Sequence, residues 1–294
     1  MTKRAPIRNS VPIPSVIAQN AGNEPWVPVA LAPSPKQQAS LIVVAQITGN
    51  RTMAGTLSDA LVRKIRVSNR FDDADIEALK TLPIQRREVR AREVIVRDGQ
   101  RATQCCLVAD GFVFRSKSTP DGQRQILSLH VPGEIPDLQS LHLGVMDHDL
   151  IALTSCTLGF IPHDTLKRMN AAFPNIAAAL WRETLIDASI FREWILNVGR
   201  RTGVQRMAHL LSEIRRRLEA IGRTSGETFR LPITQAELGD CLALSTVHVN
   251  RVLQELRSEG LIEIDRAAFN LLDRERLEEY GQFDPSYLHL SPSA

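Results

Sequence analysis

The sequence predicts an α+β fold with the β part first, and three observations predict it. Between Val89 and Ile161, apolar residues recur with a period of two, in short runs separated by turn dipeptides. After Pro174 the hydrophobic period becomes helical and stays so. Near the C-terminus, two short helical patterns meet at a tight turn, opened by a capping box and followed by a short strand pair.

Composition sets the outer bounds. At 294 residues the chain has room for two domains and a sizeable core. It is 43% hydrophobic and 23% charged, the balance of a soluble globular protein. A net charge of +3 is too mild to point to nucleic acid by itself, so any basic surface must be local. The cysteines Cys105, Cys106, Cys156 and Cys241 form neither a paired framework nor a C-x-x-C motif, which fits a reduced, cytoplasmic protein. No apolar run reaches membrane-spanning length, so no membrane partner is expected. Lys3 and Arg4 are not followed by an apolar signal region.

Residues 1–55 are expected to be a disordered tail: Pro6, Pro12, Pro14, Pro25, Pro28, Pro33 and Pro35 interrupt any regular element. Leu41 to Ala45 within it reads either as a stray strand or as a sticky segment. Residues 56–174 are expected to form a sensor domain. It opens on a short helical pattern from Leu57, and Asp72 and Asp73 sit at N-cap positions ahead of Ile76, Leu79 and Leu82. Val89, Val94 and Val96 then alternate with charged residues. Further strands are predicted over Cys105–Ala109, Phe112–Ser116, Gln125–Val131, Ile151–Thr154 and Leu158–Ile161. Asp110-Gly111, Pro120 to Gly122 and Pro132-Gly133 turn the chain between them. Short strands at this spacing argue for a small sandwich or barrel.

Residues 175–201 are predicted to form a dimerisation helix and hinge. Ala177, Trp181, Leu185, Ala188, Phe191, Ile195 and Val198 share one face. A helix so apolar on one face calls for a partner helix, hence a homodimer; a core helix within one chain is the alternative. Gly199 and Gly203 make a hinge. The DNA-binding unit is assigned to 202–276. Its first helix buries Val204, Met207, Ala208, Leu211, Ile214, Leu218 and Ile221. Arg200, Arg201, Arg206, Arg215, Arg216 and Arg217 are expected to give it a basic outer side beside a single acid, Glu213. Residues 277–294 are expected to be a C-terminal tail.

The stretch from Ile233 to Leu256 carries the chemistry. Thr234 with Glu237 is a capping box, so a helix starts at Gln235 and buries Ala236, Leu238 and Leu242. It must stop near Ala243-Leu244, because Ser245 and Thr246 are cap-type residues that start a second helix. That helix buries Val249, Val252, Leu253 and Leu256 and exposes Thr246, Val247, His248, Asn250, Arg251 and Gln254. This is the helix-turn-helix pattern, whose second helix enters the DNA major groove. A plain helical hairpin with a solvated polar face is the bland alternative. Thr246, Val247, His248, Asn250 and Arg251 are the predicted base-reading residues. Arg251 suits a two-pronged bond to guanine, and Val247 suits a thymine methyl. Thr234, Gln235 and Ser245, at helix N-termini, are the predicted phosphate contacts. Leu261 to Leu272 reads as a small hairpin, a wing.

These motifs resemble the Crp/Fnr family of bacterial regulators over roughly residues 56–280. The resemblance rests on Ile233-Thr-x-x-Glu-Leu-Gly, on Leu244-Ser-Thr-Val-His-Val-Asn-Arg-Val-Leu and on Gly260-Leu-Ile. It implies a β-roll sensor related to cyclic-nucleotide-binding domains, a dimer helix and a winged helix-turn-helix, acting as a homodimer on double-stranded DNA, with RNA polymerase as a further partner. It also implies that Arg251 is the main guanine reader. A glutamate is common in the family where Val247 stands, so the operator is expected to differ.

The same resemblance places the effector cassette at Gly133 and Glu134. A cyclic nucleotide's phosphate needs an arginine there, yet none occurs between Gly133 and Ala152, and Asp147 and Asp149 would repel it. The effector is therefore expected not to be a cyclic nucleotide; a cyclic-nucleotide-responsive regulator is the alternative. The clustered N-terminal cysteines of an iron–sulfur site are missing. Neither Cys105-Cys106 as a redox pair nor His142, Asp147 and His148 as metal ligands has convincing spacing. No cofactor is expected. A cupin-like metal enzyme would need a His-x-His pair on a strand, and none of the seven histidines supplies one.

Overall fold

The computed structural model describes residues 54–290. The expected disordered tail, with Leu41 to Ala45, therefore lies outside the described residues but for its last two positions. The chain opens on helices α1 (Ala54–Ile65) and α2 (Asp73–Lys80). Asp72 caps α2 through a reciprocal box with Asp75. Seven strands follow: β1 (Gln85–Val89), β2 (Val94–Val96), β3 (Gln104–Asp110), β4 (Val113–Ser118), β5 (Arg124–His130), β6 (Asp149–Ala152) and β7 (Cys156–Pro162), with a short helix α3 (Ser140–Leu143) before β6. They make two antiparallel sheets, β1-β7-β3 and β2-β6-β4-β5. Between the sheets lie Val89, Cys106, Val108, Val113, Leu150, Leu158 and Phe160. Cys105, one residue along β3, faces the helices instead, beside Leu61, Leu79 and Leu166.

Helix α4 (His163–Ala172) leads into the long helix α5 (Pro174–Arg200). Pro174 opens α5 where its missing N–H costs nothing. This helix has two apolar faces. Ile176, Ala179, Leu180, Ile186, Ile190 and Trp194 are buried within the chain, a face the sequence pattern does not single out. The predicted face lies partly outward: Ile195 is 68% and Trp181 62% exposed, and Leu185 joins them; Leu196, outside that predicted set, is exposed as well.

After the bend at Arg201, α6 (Gly203–Ala220) begins with a Thr202–Gln205 capping box. Strands β8 (Thr224–Ser225) and β9 (Thr228–Arg230), helices α7 (Gln235–Leu242) and α8 (Thr246–Ser258), strands β10 (Ile262–Asp265) and β11 (Ala268–Leu271) and helix α9 (Arg274–Tyr280) complete the unit. The wing strands join one sheet, β10-β11-β9-β8.

Within the expected C-terminal tail, residues 285–288 pack on the rest of the chain. Pro285–Leu288 forms a 3-10 turn against α5, Leu288 is buried, and Ser68 Oγ donates to His289 O at 2.9 Å. Tyr287 and Leu288 are few and scattered as apolar signals, so no periodicity announces this packing. One core cluster runs without a break from Phe114, Ile126 and Leu129 of the sensor to Met207, Leu211 and Val249 of the helical unit.

Candidate nucleic-acid interface and sensor cassette

The α7–turn–α8 unit is held from within. Thr234 Oγ1 accepts from Glu237 N at 3.2 Å, and Thr234 N donates to Glu237 Oε2 at 2.9 Å. Ala243 ends α7 in the left-handed region, φ 53°. Gly239 is required by the turn: a Cβ there would lie 2.5 Å from Leu244 O. Ser245 Oγ then accepts from His248 N at 3.3 Å and starts α8.

Val249, Val252, Leu253 and Leu256 face inward from α8. Thr246, Val247, Asn250 and Arg251 are exposed, Val247 to 82%. Thr234, Gln235 and Ser245 are exposed as well, at the starts of α7 and α8. His248 differs from the other predicted reading residues. It is half-buried, and its Nε2 would stand 2.8 Å from a Cβ at Gly203, so the ring covers the first turn of α6.

Of the arginines expected to form a basic outer side of α6, Arg200 is exposed and Arg206 and Arg216 are half-buried, but the other three turn inward. Arg201, Arg215 and Arg217 are buried. Arg201 pairs with Glu193 at 2.7 Å, and Arg215 with Glu227 at 2.6 Å. Arg206 donates to the carbonyls of Arg201 and Leu242. Glu213 accepts from Arg217 Nη1 at 3.0 Å, from Trp194 Nε1 and from Tyr287 Oη at 2.8 Å. Much of the positive charge serves internal bonding: Glu213 and Glu219 lie on α6 itself, whereas Glu193, Glu227 and Glu134 come from other segments that local sequence cannot show.

Two more ion pairs tie α7 to the sensor. Arg92 Nε meets Glu237 Oε1 at 2.7 Å, and Arg124 meets Asp240 Oδ2 at 2.6 Å. Gln125 Nε2 also donates to Asp240 O at 2.6 Å.

In the cassette, Gly133 has φ +94°, and a Cβ there would lie 2.4 Å from Lys64 Cβ and 2.5 Å from Ala60 O. The loop thus presses on α1. Glu134 accepts from His130 Nδ1 at 2.9 Å and pairs with Arg217 Nη2 at 2.9 Å. Burial would raise the Glu134 carboxyl, but Arg217, then His130 and Lys64, overcome it and hold the group far below the usual carboxylate range. Although the cassette's own sequence has no arginine, the fold brings three cations to it: Lys64, Arg115 and Arg217. All are engaged, Lys64 with Glu183 at 2.5 Å and Arg115 with Asp187 at 2.6 Å. Arg115 Nε also donates to Pro136 O at 2.6 Å. The cavity they line is only about 50 Å³.

Asp137 lies deeper. Its Oδ1 accepts from Cys106 N at 2.7 Å, while Oδ2 has no partner. Burial, only partly offset by Cys106 N–H, raises this carboxyl to about 7. Burial likewise pushes the Cys105 and Cys106 thiols up, the reverse of what a reactive cysteine needs. Among the described residues no cluster of three or more His, Cys, Asp or Glu is placed to hold a metal ion.

A strand roll joined by a long helix to a winged helix-turn-helix is the architecture of a DNA-binding transcription regulator. The comparisons agree. Residues 205–280 match the Crp-like helix-turn-helix domain, and residues 86–172 the cyclic nucleotide-binding domain. The transcriptional activator protein FnrL of Cereibacter sphaeroides is 26% identical over 73% of this chain and 86% of that protein. A probable transcriptional activator of Rhizobium leguminosarum is 29% identical over 61% of this chain and 74% of its own length. The solved structure of FixK2 from Bradyrhizobium japonicum superposes with a TM-score of 0.63 at 25% identity, covering 68% of this chain and 98% of FixK2. The chain belongs to the Crp/Fnr family of transcription regulators.

Proposed function

We propose that this protein is a homodimeric, sequence-specific regulator that reads a palindromic operator with α8 and responds to no cyclic nucleotide. The observation that carries the reading is the face of α8. Its apolar side is locked into the core, while Thr246, Val247, Asn250 and Arg251 stand free in solvent. Arg251 reads a guanine, Val247 meets a thymine methyl, and Thr246 and Asn250 complete the base contacts. Thr234, Gln235 and Ser245 present main-chain N–H groups and short polar side chains to phosphates. His248, turned over Gly203, props the reading helix rather than reading a base.

The outward apolar face of α5, with Trp181, Leu185 and Ile195, supports a second copy as its partner. Two copies place two reading helices on half-sites about one DNA turn, ~34 Å, apart. The sensor cavity supports exclusion of a cyclic nucleotide. It holds about 50 Å³, whereas small-molecule sites run to roughly 300–1,000 Å³, and every cation around it already has a carboxylate. By extension from relatives named as activators, RNA polymerase is the further protein partner. No helix among the described residues is long and apolar enough to cross a membrane, and with unpaired cysteines the proposed compartment is the cytoplasm.

Selection of binding sites from random DNA with the full-length protein tests this reading. An inverted repeat, bound equally with and without cyclic AMP, is the expected result. Recovery of no motif, or of one only when cyclic AMP is present, would overturn it.

A further inference from the structure

The ion pair between Glu134 and Arg217 joins residues 83 positions apart and crosses from the sensor to the DNA-binding unit. Arg217 Nη2 reaches both oxygens of Glu134, at 3.0 and 2.9 Å, and Leu129 O at 2.8 Å, while Nη1 holds Glu213. The side chain of Arg217 is 4% exposed and that of Glu134 12%. The other ion pairs between the two units, Arg92–Glu237, Arg124–Asp240 and Arg223–Asp110, have arginines 41%, 35% and 44% exposed. Water screens those pairs and leaves the Glu134–Arg217 bond as the strong one.

We propose that Arg217 is a built-in occupant of the sensor cassette: by pairing with Glu134 it holds the DNA-binding unit on the sensor with α8 exposed, without any small molecule. This rests on the reading of α8 as the DNA-reading helix. Glu134 follows the glycine that brings the cassette loop onto α1, so the carboxylate's position is set by the sensor. Its charge is neutralised from α6, whose own position sets that of α8 through Gly203 and His248. The state of the cassette and the attitude of the reading helix are therefore one mechanical unit. A molecule that claimed Glu134 would have to displace a buried guanidinium and leave Glu213 to hold it alone. Such a molecule would loosen the reading unit rather than assemble it.

The test uses the full-length protein and the DNA it selects. Affinity is read by fluorescence anisotropy, and backbone hydrogen exchange is followed in 235–242 and 126–131. Wild-type protein, unfolded and refolded to strip any small molecule, should bind with undiminished affinity. Glu134→Gln removes the charge that faces Arg217 but leaves Arg217 its pair with Glu213. It should weaken operator binding at least tenfold and speed exchange in both segments, with no change in the roll interior around Val108. Should that variant fail to fold, Arg217→Lys, which keeps the charge but loses the two-pronged bond, decides by the same readouts. A folded variant with wild-type affinity and exchange overturns the proposal, as does stripped wild-type protein that needs an added molecule to bind. Wild-type protein that selects no DNA at all refutes the regulator reading instead, which separates the two failures.

Discussion

Arg251 stands within the first two turns of α8, on the side opposite Val249 and Val252, where groove-inserted side chains reach bases. If it grips a guanine with two bonds, Arg251→Ala costs roughly 1–3 kcal/mol per half-site and relaxes preference at one base position. Binding measured on the selected operator, on a single-base variant and on random DNA, at two salt concentrations, checks this. Equal loss on all three DNAs would mark a phosphate contact instead. Asp137 makes a different kind of prediction. Its folded pKa, about 7, lies above the ordinary 3.8. Its contribution is thus fully present below pH 4 and is lost as pH rises through 7. Asp137→Asn keeps the oxygen that accepts from Cys106 and removes the titration. The variant should match wild type near pH 4 and exceed it at pH 8, by on the order of a few kcal/mol. Denaturant unfolding at the two pH values measures the difference, and an asparagine variant less stable at pH 8 would contradict it.

Among the elements, α5 carries the most. Its inward face was not legible, because Ile176, Ile186, Ile190 and Trp194 interleave with the outward set and leave no polar stripe to mark a boundary. Its outward face was legible in Trp181, Leu185 and Ile195. Trp181→Glu with Ile195→Glu should leave the fold intact, since both side chains are largely exposed in the single chain. The pair of changes should turn a dimer into a monomer at micromolar concentration, as read by light scattering. Persistence of the dimer would place the interface elsewhere. Helix α7 shows the reverse economy: Thr234 and Glu237 announced it in sequence, and the same residues close the box in the structure. Thr234→Ala should lower stability by about 1 kcal/mol.

At the scale of the whole molecule, the C-terminal turn stitches the two units together. Tyr287 Oη donates to Glu213, which is wholly buried between Arg217 and Trp194. Tyr287→Phe keeps the packing and takes away one bond from that carboxylate. The expected cost is ~1–3 kcal/mol, seen as a lower melting temperature with no change in the shape of the transition. An unchanged melting temperature would show that the turn is not coupled to the core.

The sequence by itself determined what depends on neighbours along the chain. The switch from alternating to helical apolar spacing near Pro174, the Gly-containing strand turns and the Thr234–Glu237 box are all local, and each acts through backbone geometry within a few residues. The order of sensor, long helix and reading helices followed from them, as did the outward Val247 and Arg251. What only the tertiary structure decided is where charge goes. The arginines at and within α6 read as a basic surface because several of their carboxylates, Glu134, Glu193 and Glu227, come from other segments. The cassette read as lacking cations because Lys64, Arg115 and Arg217 arrive from three separate elements. Periodicity shows which side of an element is apolar, but the partner of a buried charge is set by distance in space, and a pair such as Glu134 and Arg217 leaves no trace in spacing along the chain.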